Sequence, residues 1–133
     1  MRRYFLIPIF SLLVFCSCNY KKYKDRITSG KGTYWDVIKR GGNEYKTPAF
    51  CYFFGVNGEC QYYSYRKSAD GSIKRFSFDY GDVIYPKTWK MTEDTLQLQG
   101  FNYLLVTNKN KKILLINVRK PTDTLELMES AVK

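Results

Sequence analysis

The chain is 133 residues long, with 22 Lys and Arg against 12 Asp and Glu, four Cys and no His. That length allows one domain, and an aromatic content of 17% within 44% hydrophobic residues points to a folded core rather than a disordered chain. The absence of histidine excludes imidazole bases, Ser-His triads and His-ligated metal centres, while carboxylate chemistry stays open.

Residues 1–18 read MRRYFLIPIFSLLVFCSC. Arg2 and Arg3 give a basic start, and Phe5 to Phe15 an apolar run interrupted only by Pro8 and Ser11. The run is shorter than the roughly 20 apolar residues a permanent spanning helix needs, so it reads as a secretory signal. Its end, Phe15-Cys16-Ser17-Cys18, resembles the lipobox of bacterial lipoproteins. The resemblance implies cleavage after Ser17 and acylation of Cys18, with residues 1–17 removed as a signal peptide. Ser17 is the small residue expected before the cut, whereas Cys16 follows bulky Phe15. Phe15 departs from the aliphatic residue usual at its position, and an ordinary signal or an uncleaved anchor is the competing reading. Acylation would anchor the chain to a membrane without spanning it.

Residues 18–31 include the basic stretch NYKKYKDRITSGK, read as a flexible tether that either lies against anionic headgroups or is a solvated linker. Basic residues among tyrosines can also signal nucleic acid, but an exported chain without an RNP or helix-turn-helix pattern gives no reason to expect it.

From Gly32 onward, alternation and turns recur at short intervals, the pattern of an all-β domain. Strands are predicted over 33–39, 47–55, 59–66, 73–80, 83–91, 95–99, 103–107, 112–118 and 124–128. Asn57-Gly58 predicts a two-residue type I′ hairpin turn. Pro86 marks its strand as bulged or at an edge. In TLQLQ, Leu96 and Leu98 point inward and Gln97 and Gln99 outward. A meander of about nine strands avoids exposed edges by closing, which predicts a single antiparallel up-and-down β-barrel of about 8–10 strands after the lipoprotein signal.

The order of Gly32-Thr33-Tyr34-Trp35, the aromatic hairpin at Asn57-Gly58, Trp89, Glu93-Asp94-Thr95-Leu96, the Tyr103 hairpin and a closing LELM strand resembles the lipocalin-like domain of small bacterial envelope lipoproteins. The resemblance covers about residues 32–129. In lipocalins a Gly-x-Trp opens the first strand, whereas here two residues separate Gly32 from Trp35. The resemblance implies that Trp35 stacks on an Arg after a late strand, for which Arg119 is the candidate; such a contact is worth roughly 0.5–2 kcal/mol.

Strand parity places Phe53, Tyr62, Phe76, Phe78, Trp89, Met91, Leu96 and Leu98 inside. Phe53, Tyr62, Phe76, Phe78, Trp89 and Leu98 are the candidate ligand-binding residues of a pocket for a small hydrophobic or aromatic molecule, unless they simply fill the core. Tyr52, Tyr63 and Tyr65 then form an outer patch for a protein partner. If Asn57 and Gly58 are the turn, Cys51 faces Ser64 and Cys60 faces Gly55, more than about 13 Å apart along the strand and beyond the disulfide limit of about 7 Å. A Gly55-Val56 turn would instead set the two cysteines opposite each other.

Asp79, Asp82, Glu93 and Asp94 are carboxylates in or beside turns, where such residues are ordinary turn chemistry. No cofactor, metal or catalytic residue is expected. The expectation is a non-catalytic lipoprotein on the periplasmic face of the outer membrane, with a small ligand or an envelope protein as its partner.

Overall fold

The structure, a computed structural model, describes residues 24–132 except Asp79 and Asp82. The signal peptide, Cys18 and two of the four turn carboxylates lie outside the described residues. Ten strands follow: β1 (Thr33–Arg40), β2 (Asn43–Glu44), β3 (Phe50–Phe54), β4 (Cys60–Lys67), β5 (Ile73–Ser77), β6 (Trp89–Thr92), β7 (Thr95–Leu98), β8 (Phe101–Lys109), β9 (Lys112–Asn117) and β10 (Thr124–Glu129). They form one antiparallel sheet in the order β5-β4-β3-β1-β10-β9-β8-β7-β6, with β2 beside β1. The nine-strand path curls into a half-barrel.

Neighbours in the sheet follow chain order except where β1 joins β10, so the first and last strands lie side by side. The ladder is open between β5 and β6. One bridge, Glu59 to Thr88, draws the two sides together: the Cys60 amide donates to the Lys87 carbonyl at 3.0 Å and the Trp89 amide to that of Gly58 at 2.9 Å. The strand predicted over 83–91 shortens to β6 at its end, consistent with Pro86, whose missing N–H cannot serve a ladder.

The core follows the alternation of the strands. Leu96 and Leu98 of β7, and Leu125 and Leu127 of β10, are buried, while Gln97 between the first pair is exposed. Trp35, Val37, Phe54, Met91, Ile113 and Leu115 complete the same interior. Residues 24–28, read from sequence as tether, form a helical turn whose Ile27 is wholly buried. The Trp35 indole nitrogen donates to the Ile27 carbonyl at 2.8 Å, tying that turn to β1. Gly32 follows with φ +91°, and a Cβ there would lie 2.7 Å from the Phe53 ring, so only glycine fits.

Arg119 does not meet Trp35. Trp35 pairs with Glu129 at one end of β10, whereas Arg119 lies beyond the other end, exposed in the β9–β10 turn. Its backbone amide there donates to the Asn117 side chain at 3.0 Å.

The β3–β4 hairpin corrects the predicted register by one residue. Phe54 pairs with Cys60, and the Gly55 amide donates to Glu59 across a three-residue loop, 56–58. Gly58 alone in that loop has positive φ, +87°, as a type I turn with a glycine bulge requires. Cys51 therefore faces Tyr63 and Cys60 faces Phe54; both are buried free thiols. The double positive φ of a type I′ turn occurs instead at Gln99-Gly100 and at Asn110-Lys111.

A slip of one residue exchanges the faces of a strand. Tyr52, predicted outside, is buried beside Tyr62, its ring centroid 4.5 Å away. Phe53 turns outward against Tyr34, at 4.9 Å. On that outer face the Tyr65 hydroxyl donates to buried Asp36 and lies 3.0 Å from the Ser130 hydroxyl. Arg75 sits over the Tyr34 ring at 3.9 Å and donates to Ser130 at 3.1 Å and to the Val132 carbonyl. The C-terminal segment thus covers part of the tyrosine-rich surface.

Candidate functional site: an aromatic pocket at the open end

The end of the half-barrel away from Ile27 holds a pocket of about 180 Å³, built from β1, β3, β4, the 78–88 segment and the β7–β8 hairpin. Its one cation in the lining is Arg40. Plain alternation from Val37 would turn Arg40 outward. A register shift between Val37 and Lys39 restores it to the inner face, opposite buried Leu125. The guanidinium donates to the Tyr52 hydroxyl at 3.0 Å.

Tyrosines from four parts of the chain surround it. Tyr62 of β4 stacks on Tyr80 at 5.9 Å, Tyr80 meets Tyr85 edge-on at 4.7 Å, and Tyr85 reaches Phe101 at 5.8 Å. Tyr80 donates to the Gln99 carboxamide oxygen at 3.1 Å. Gln99, predicted to face solvent, is buried because its φ of +50° at the turn breaks the strand's alternation. Tyr103 enters from β8, and Asp123 from the loop before β10. The Asp123 carboxylate accepts from the Asn117 carboxamide at 3.2 Å, fixing the turn at the rim.

The charges of these groups follow from their surroundings. Burial raises the Tyr62 phenol to about 12, and also raises Tyr52, Tyr80 and Tyr103 above the ordinary phenol range. All four are neutral donor-acceptors at physiological pH. Burial works against the Arg40 charge, but the oxygens of Tyr52, Tyr62 and Tyr103 outweigh it, so the group stays a permanent cation. The site can therefore hold a guest by ring contact, phenol hydrogen bonds and one fixed positive charge.

Of the six predicted pocket residues, Tyr62 and Leu98 line this cavity. Phe78 packs on both Tyr62 and Tyr80, at 5.1 and 5.0 Å. Trp89 is buried deeper, its indole nitrogen donating to the Gly55 carbonyl at 2.8 Å. Phe53 lies on the outer face, and Phe76, 41% exposed on edge strand β5, lies beneath Arg66 at 4.9 Å. Sequence reasoning missed Arg40, Tyr52, Tyr80, Tyr85, Gln99, Phe101, Tyr103 and Asp123. The clustering of tyrosine in 80–85 was a usable signal, whereas the bulge that directs Arg40 inward leaves none. Among the described residues no group of three or more Cys, Asp or Glu could hold a metal ion. No protein-family model matches the chain, and no curated protein matches it at a significant level.

Proposed function

We propose that the protein is a non-catalytic, lipid-anchored component of the cell envelope that holds a small hydrophobic or aromatic ligand in a lipocalin-like barrel. The observation that carries this reading is the pocket walled by Tyr62, Tyr80, Tyr85 and Phe101 beside Arg40. Concave surface that combines aromatic side chains with placed polar groups is a common make-up of a small-molecule site. Anchoring through Cys18 is supported by the order of residues 1–18, and the periplasmic face of the outer membrane by the lack of an acidic run after Cys18. Native mass spectrometry of protein purified from its own envelope tests both parts. The expected result is a small-molecule adduct on a chain whose first residue is acylated Cys18. An unliganded, unacylated chain would overturn the reading.

A second reading, a docking subunit for an envelope protein, rests on different residues from those predicted. Tyr65 is committed to Asp36 and Ser130. The outer side of β8 to β10 instead exposes Leu104, Val118 and Met128 at 39, 57 and 37%. A stoichiometric protein partner in the same measurement would favour it.

A further inference from the structure

Arg40 has more hydrogen-bonding capacity than the protein uses. A guanidinium carries five N–H donors in a planar fork that matches a carboxylate. Among the described residues, its hydrogen-bonded side-chain partners are the neutral hydroxyls of Tyr52 and Tyr103, and neither is a carboxylate. Arg40 is half-buried and lines the cavity, so a guest there can reach the N–H donors that the two phenols leave over. The nearest candidate counter-charge in the lining, Asp123, accepts from Asn117 and holds the rim turn.

From this we infer that the pocket is a site for a small aromatic monocarboxylate, its carboxylate on Arg40 and its ring among Tyr62, Tyr80 and Tyr85. The inference rests on the reading of the cavity as a ligand site and adds the ligand's charge and size. Three features set the class. The remaining N–H donors favour an anion, since charge-assisted N–H···O bonds to a carboxylate are stronger than bonds to a neutral amide. Asp123 on the same lining disfavours a second negative charge on the guest. The volume, about 180 Å³, lies below the 300–1,000 Å³ of sites for drug-sized ligands, so one ring with a short acid arm fits and a long acyl chain does not.

The test uses three probes of nearly one shape, phenylacetate, phenylacetamide and phenethylamine, titrated against the purified full chain at neutral pH. Phenylacetate is expected to bind at least about tenfold more tightly than the amide. That preference is expected to fall to within about threefold in Arg40→Met. Equal affinity for acid and amide, tighter binding of the amine, or a preference that survives Arg40→Met would overturn the assignment while leaving the cavity reading in place. Failure of all three to bind would remove the cavity reading as well. Should Arg40→Met not fold, as judged by circular dichroism, the acid-to-amide ratio in the unaltered chain and in Arg40→Lys decides the matter.

Discussion

The indole nitrogen of Trp35 and the carbonyl oxygen of Ile27 are 2.8 Å apart, and both residues are buried. This contact joins the helical turn at 24–28 to the first strand and seats Ile27 as a plug in the core. It also gives Trp35 the role that the sequence assigned to a stack on Arg119.

Removing either side of that plug has separable costs. Trp35→Phe keeps most of the apolar bulk and leaves the Ile27 carbonyl without its partner, a loss of about 1–3 kcal/mol. Ile27→Ala should cost about 2–5 kcal/mol through the cavity it leaves. Arg119→Ala should change stability by less than about 0.5 kcal/mol, as for an exposed side chain. Guanidinium denaturation of the three variants checks the ranking.

Gly32→Ala is expected to destabilise the fold by more than about 1 kcal/mol, because φ is +91° and the new methyl meets the Phe53 ring at 2.7 Å. Adding Phe53→Ala removes the clash and leaves only the backbone penalty. The double variant should therefore lose less than the sum of the two single losses, which a double-mutant cycle measures.

The register of β3 against β4 also determines the chemistry of the thiols. Burial pushes Cys60 to about 12 and raises Cys51 above its ordinary value. Peptide mass analysis after alkylation at pH 8 should find both unmodified in the folded chain and both modified in guanidinium. Modification of Cys60 in the folded chain would contradict its burial.

Stability should fall at alkaline pH. A group whose folded pKa is raised keeps its proton in the native state while the unfolded chain releases it, so unfolding is favoured once pH exceeds the unfolded value. For Cys60 that interval runs from about 8.5, the free thiol value, up to its folded value near 12. Tyr62 contributes from about 10 upward, to about 12. The unfolding free energy should be insensitive to these groups from pH 6 to about 8, then fall by up to about 1.4 kcal/mol per pH unit per group. Cys60→Ala should make the fall between about pH 8.5 and 10 shallower, leaving the part due to Cys51, as read from denaturation midpoints across pH.

Lys111 holds φ at +59° in the Asn110-Lys111 turn, a conformation that glycine adopts without a Cβ penalty. Lys111→Gly should stabilise the chain by up to about 1 kcal/mol, seen as a higher denaturation midpoint. An unchanged or lower midpoint would argue against the two-residue turn.

The all-β class and most strands were legible because period-two burial is written directly into segments such as Thr95–Leu98 and Thr124–Glu129. The candidate site was less so. A hairpin loop one residue longer than Asn57-Gly58 suggested exchanges Tyr52 with Phe53, and the shift near Ile38 turns Arg40 inward. Both are single-residue offsets, which leave the apolar pattern readable while reversing which side chain faces the pocket. Phe76 shows a different limit: its inward parity brings little burial, because edge strand β5 has β4 on one side and no strand on the other.

Because β1 and β10 run antiparallel, with Trp35 beside Glu129 and Arg40 beside Leu125, the start of β1 and the end of β10 share one pole and the aromatic recess lies at the opposite pole. A bulky group attached at the 24–28 turn would therefore sit at the far pole from that aperture and leave it open to solutes.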